Sequence, residues 1–158
     1  MLTPSDVRRR LVAAIRAGRH DQLLELATRL CVAAIERRST IFFCGNGGSA
    51  AEAQHLAAEF TGREVPLPAI ALTDSTAITA IANGAEYARV FARQLVALSH
   101  PGDVLVAMST SGRSPNVVLA VQHAKALQVA TVVMTGAGGA DLADHADVGM
   151  IVPSKHTS

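Results

Sequence analysis

Five short runs of consecutive apolar residues punctuate this chain, at about Thr40 to Cys44, Ala69 to Leu72, Val104 to Met108, Thr131 to Thr135 and Val148 to Val152. Apolar residues at successive rather than alternate positions mark strands covered on both faces, the habit of a parallel sheet. Between the runs the apolar spacing changes to three and four. It predicts helices at Ala50 to Phe60, Ser75 to Ala82, Glu86 to Leu98, Pro115 to Leu127 and, briefly, Ala140 to His145. Strands alternating with crossover helices predict an α/β fold: a doubly wound five-stranded parallel sheet flanked by helices. Two more helices precede the first strand, within residues 1–38. One opens at Thr3, Pro4 and Asp6, carries Val7, Leu11, Ala14 and Ile15 at helical spacing, and closes at Gly18; the other runs from Asp21 to Arg37. In the latter, Leu23, Leu24, Ala27, Leu30, Cys31 and Ala34 form a stripe broader than one sheet face needs. The Ala-rich stretch Ala50 to Phe60 is similar, and these two stripes together with that of the first helix predict burial between subunits. With no internal repeat or linker, residues 1–158 read as a single domain.

Composition narrows the function classes. At 158 residues and 49% hydrophobic, the chain has ample material for one core, and its mean hydropathy is +0.29. Net charge is +1 and aromatics make up 3%, so base-stacking platforms are scarce and nucleic acid is not an expected partner. The basic cluster Arg8, Arg9, Arg10, Arg16 and Arg19 fits the solvated face of a helix better than a nucleic-acid patch. Cys31 and Cys44 lack metal or redox spacing, sit among apolar residues and suit a reducing compartment. No stretch reaches the roughly 18 apolar residues of a membrane span, and no apolar signal core follows Met1. A cytoplasmic protein without membrane contact is expected.

In a doubly wound sheet the ligand sits beyond the carboxyl ends of the strands, where Gly45 to Ser49, Thr73 to Ser75, Ser109 to Ser114 and Gly136 to Gly139 all fall. Ser109, Thr110, Ser111 and Ser114 crowd four hydroxyls around Gly112, and Pro115 follows at a first helical position. Free N–H groups, the positive end of a helix dipole and rotatable O–H donors together suit a phosphate monoester. The plainer reading is a Ser/Thr-rich turn with Ser114 as N-cap, but four hydroxyls exceed what capping requires. The loop Gly45-Asn46-Gly47-Gly48-Ser49 allows close backbone approach to a ligand. It lacks the dinucleotide spacing, a ribose-binding acid after the second strand, and the Gly-Lys-Ser/Thr of nucleoside triphosphate sites. On the next helix His55 and Glu59 lie four residues apart on one face, with Glu52 on the same side. Such a pair can be a surface interaction or half of a metal site. Asn83-Gly84 reads as a turn between helices.

The residues Phe43 to Ala50, with Gln54, His55 and Glu59, then Ser109-Thr110-Ser111-Gly112 with Ser114, and Val152-Pro153-Ser154, resemble the sedoheptulose 7-phosphate isomerase (phosphoheptose isomerase) branch of the sugar isomerase (SIS) domain family. The resemblance runs from about residue 20 to Ser158. It implies a homotetramer with active sites at subunit interfaces, zinc as the metal, and conversion of sedoheptulose 7-phosphate to D-glycero-D-manno-heptose 7-phosphate in bacterial lipopolysaccharide heptose synthesis. It further implies that Ser109, Thr110, Ser111 and Ser114 hold the phosphate, that Asn46, Gly47, Gly48 and Asn83 contact the sugar, and that His55 and Glu59 bind zinc. Glu59 would also move the proton, since an aldose–ketose interconversion passes through an enediol and needs a base.

Three features depart from the family pattern. The family's Asn-Asp is Asn83-Gly84 here, and the segment between Arg63 and Ala69 is shorter. Family members also continue past the Pro-Ser turn into a helix beginning Arg-Ile-Gln-Glu, whose Gln and a later His complete the metal site. That helix is absent before Ser158, so the expectation for this form is half a zinc site and crippled turnover, with His156 as the nearest substitute. A non-catalytic alternative is a sugar-phosphate- or protein-binding relative such as the DnaA initiator-associating protein. The presence of Glu59 speaks for catalysis.

Overall fold

The computed structural model describes residues 20–154. The helix expected from Thr3 to Gly18, the Arg8 to Arg19 cluster and His156 lie outside these residues. Helix α1 (His20–Glu36) leads into β1 (Ile41–Gly45), α2 (Gly48–Thr61), β2 (Ala69–Ala71), α3 (Ser75–Gly84), a 3₁₀ turn (Tyr87–Arg89), α4 (Val90–Leu98), β3 (Val104–Ser109), α5 (Pro115–Ala126), β4 (Ala130–Gly136), α6 (Ala140–Asp144) and β5 (Val148–Val152). All neighbouring strands pair in parallel, in the order β2-β1-β3-β4-β5. The sheet is the one the apolar runs predict.

Its two cores follow from the period of two along each strand. Phe42, Cys44, Leu105, Ala107 and Val133 face α4, α5 and α6, where they meet Phe91, Leu95, Val117, Val121 and Leu142. Ile41, Phe43, Val104, Val106 and Val132 face the other way, onto Ala27 and Ala34 of α1 and Ala53 and Ala57 of α2. Part of the alanine stripe of α2 thus covers the chain's own sheet, whereas Ala51 and Ala58 stay exposed. The Phe43 and Phe60 rings, 5.8 Å apart, fasten α2 to β1. That contact sets the helix carrying His55 and Glu59.

Two local readings are corrected. Asn83 and Gly84 form the last residues of α3 rather than a turn, because Ala85 N–H still reaches Ile81 O at 2.8 Å and closes one more helical turn. The helix expected from Glu86 instead begins as the 3₁₀ turn at Tyr87, tighter geometry that is common at helix starts.

Candidate functional site

Strand order reverses between β1 and β3, so their loops splay apart at the carboxyl edge and leave a crevice. The loop after β1 carries Asn46, Gly47 and Gly48; the loop after β3 carries the hydroxyls. Gly47 caps α2 at φ 55°, ψ −120°, a backbone that only glycine adopts readily, and both Gly47 and Gly48 are exposed. Gly112 turns the hydroxyl loop at φ 65°, and a side chain there would collide with the backbone of Gly139. The loop is tied down on that side as well. Thr135 Oγ1 donates to Ser109 O at 2.7 Å, and Gly136 N–H to Thr110 O at 3.0 Å.

Within the hydroxyl loop the four side chains divide. Ser109 is buried and its hydroxyl donates to Ser114 Oγ at 3.2 Å. Ser114 occupies the N-cap position of α5 with Pro115 next, yet its side chain makes no capping bond. The hydroxyl that a plain turn would spend on the helix is therefore turned toward the loop. Thr110 and Ser111 are exposed, and Ser111 Oγ accepts from Arg113 N–H at 3.2 Å. The arrangement offers hydroxyl donors around the positive end of a three-turn helix. A cavity of ≈ 250 Å³ adjoins it, lined by Ser49, Met108, Thr110, Met134, Val152 and Ser154 among others.

Across the crevice Asn46 and Asn116 form a closed amide pair. Asn46 Nδ2 donates to Asn116 Oδ1 at 2.9 Å and Asn116 Nδ2 donates to Asn46 Oδ1 at 2.8 Å. The Tyr87 hydroxyl also donates to Asn46 Oδ1, at 3.3 Å. Asn116 and Tyr87 were not expected from the sequence. The available signals were an amide side chain in the first turn of the hydroxyl-loop helix and the chain's single tyrosine four residues after Asn83. Asn83 itself is exposed at the end of α3, on the segment that delivers Tyr87.

His55 and Glu59 are both exposed on α2, one turn apart, as is Glu52. Among the described residues no group of three metal-ligating side chains comes together. The residues present therefore supply at most two donors for a zinc ion that ordinarily takes four ligands. Cys44 belongs to the core: it is fully buried, and burial pushes its thiol up to about 12. Cys31 is half-buried, with its thiol raised for the same reason.

Comparison with known proteins identifies the family. The SIS domain family model matches residues 5–136. The phosphoheptose isomerase of Nitratidesulfovibrio vulgaris (Miyazaki F) is 50% identical, over 87% of this chain and 68% of the relative. That of a Roseiflexus species is 46% identical, over 97% and 78%. In three dimensions the fold is similar to the phosphoheptose isomerase GmhA of Neisseria gonorrhoeae, with a TM-score of 0.78, 38% identity, and coverage of 97% of this chain and 87% of that one. The Francisella tularensis phosphoheptose isomerase gives a TM-score of 0.83 at 29% identity, over 99% and 89%. A SIS domain model spanning most of the sequence and relatives at half identity, on a sheet whose switch point carries the hydroxyl loop, place this chain in the phosphoheptose isomerase family of SIS domain proteins.

Proposed function

We propose that this protein is an aldose–ketose isomerase that converts sedoheptulose 7-phosphate to D-glycero-D-manno-heptose 7-phosphate in cytoplasmic heptose synthesis for lipopolysaccharide. The observation that carries the reading is the hydroxyl loop at the N-terminus of α5, with Ser114 uncommitted to capping, facing the Asn46 loop across the switch point. Names of the relatives support catalysis over a purely binding role.

In this reading Thr110, Ser111 and Ser114 donate to the phosphate, Ser109 orients Ser114 from beneath, and the α5 dipole offsets the dianion's charge. Asn46, the exposed Gly47 and Gly48 backbone, and Asn83 meet the sugar end. Glu59 takes a proton from C-1 of the ketose and returns it to C-2 of the enediol while the O-1 hydroxyl proton passes to O-2, so that no atom is gained or lost. Zinc is the family's metal, and His55 with Glu59 would be its ligands, but those two donors alone do not complete a site. The proton transfer described here rests on the carboxylate.

Glu59 is exposed in the single chain, and a proton transfer from carbon works best away from bulk water. A second copy covering α2 would provide this. The exposed Leu24, Leu26 and Val32 of α1, at 58%, 50% and 45%, supply apolar surface for such a homotetramer. Among the described residues no helix is long and apolar enough to cross a membrane.

The test is sedoheptulose 7-phosphate in deuterated water, followed by NMR. Formation of the aldose with exchange at a single carbon-bound hydrogen is expected. Tight binding of the sugar phosphate with no aldose formed would make the chain a non-catalytic binding protein.

A further inference from the structure

The amide pair that closes the crevice has a direction, and the direction is imposed from the helix. Val117 N–H, in the first turn of α5, is shared between Ser114 O and Asn116 Oδ1, each at 3.0 Å; an NH₂ facing that N–H would set donor against donor, so the near atom is the oxygen and the other end of the Asn116 amide is the NH₂ donor. Asn116 Nδ2 must then face an acceptor, which orients Asn46 with Oδ1 toward it and Nδ2 toward Asn116 Oδ1. Tyr87 adds a second donor to Asn46 Oδ1. Both lone pairs of that oxygen are occupied, while Asn46 has used one of its two N–H groups. What Asn46 has left to offer is a donor.

The geometry points to Asn116 as a positioning residue that makes Asn46 present an N–H, rather than a carbonyl oxygen, to the sugar end of the substrate. At 1% exposure Asn116 is too deeply buried to touch the substrate itself. It stands directly after Pro115, at the start of the helix whose N-terminus holds the phosphate loop. One side chain thus links the phosphate end of the site to the sugar end across the switch point. The substrate group that suits this donor is an acceptor, a carbonyl or enediolate oxygen, whose charge grows as the proton leaves carbon. This inference rests on the isomerase reading of the site.

The discriminating variant is Asn116→Ala, which adds no charge beside the phosphate. Val117 N–H keeps Ser114 O at 3.0 Å, so the helix start survives, but Asn46 loses both Asn116 groups that orient its amide. Calorimetry with inorganic phosphate and with sedoheptulose 7-phosphate separates the two ends of the site. The expected result is phosphate affinity within about twofold of the parent and sedoheptulose 7-phosphate affinity about 5- to 10-fold weaker, the worth of one neutral hydrogen bond. Because Asn116 acts through Asn46, the Asn46→Ala/Asn116→Ala double variant should bind the sugar phosphate no more weakly than Asn46→Ala alone. Equal loss for both probes, no loss for either, or additive losses in the double variant would each overturn the assignment. A parent chain that binds neither probe would overturn the isomerase reading first, and this inference with it.

Discussion

The two ends of the sheet both hold polar side chains against backbone, but they use them differently. At the amino end Asp103 is buried and accepts from Thr40 N–H and His100 N–H, each at 2.7 Å, so it pins the starts of β1 and β3. Asp147 does the same for β4 and β5, accepting from Thr131 N–H at 2.7 Å and Thr131 Oγ1 at 2.9 Å. Each of these bonds joins a carboxylate to a backbone N–H or hydroxyl at or near the start of a strand. At the carboxyl end Ser109 bonds Ser114, and Asn46 bonds Asn116 and Tyr87. There the polar groups hold each other and still carry unused hydrogen-bonding capacity facing the crevice. A closed polar network stabilises the fold; one with spare donors beside a helix N-terminus can bind.

Substitutions at the two ends should therefore separate activity from stability. Glu59→Gln, on the exposed face of α2, is expected to cut turnover by about 100- to 10,000-fold, the usual worth of a positioned acid/base, with the melting temperature unchanged. Equal turnover in a ketose–aldose assay would remove Glu59 from the mechanism. Asp103→Ala has the opposite signature. It leaves two partly buried N–H groups without their acceptor and should cost about 2–4 kcal/mol in urea unfolding, while the folded variant binds sugar phosphate normally. A loss of affinity without a loss of stability at Asp103 would dissolve the distinction between the ends.

The middle of the sheet yields a smaller effect that depends on pH. Burial holds Cys44 as the neutral thiol, so its contribution to stability is complete below the ordinary thiol value of 9.0 and is lost as pH rises from there toward about 12. The thiolate is the reactive form, so at pH 8 Cys44 should resist a thiol reagent until the chain unfolds, with the half-buried Cys31 slow but accessible. Peptide mapping after labelling reads both. Rapid labelling of Cys44 in the folded protein would show that the β1 core opens.

Where the amino acids carry the signal locally, the fold was legible. The strand from Val104 and the hydroxyls after it needed only the period of the pattern, because a strand covered on both faces has nowhere to place a polar residue. The loops at the carboxyl edge followed from topology. Asn116 and Tyr87 were not legible, since their role exists only when residues 70 and 41 positions away along the chain meet at the switch point. Asn83 and Gly84 misled for a related reason: their turn propensity is real, but helix α3 continues through them because Ala85 N–H finds Ile81 O. The His55 and Glu59 pair was visible by spacing, whereas no third metal-ligating side chain joins it among the described residues.

The central claim is that the hydroxyl loop at the head of α5 receives the phosphate. Calorimetry of sedoheptulose 7-phosphate binding to the parent chain, Ser111→Ala and Ser114→Ala tests it most directly. Each variant removes one hydroxyl that lacks a capping role, so each should weaken binding by about 5- to 10-fold; Ser111→Ala leaves the unfolding midpoint in place, whereas Ser114→Ala also lowers it because the buried Ser109 hydroxyl loses its acceptor. Unchanged affinity in both variants would contradict the account.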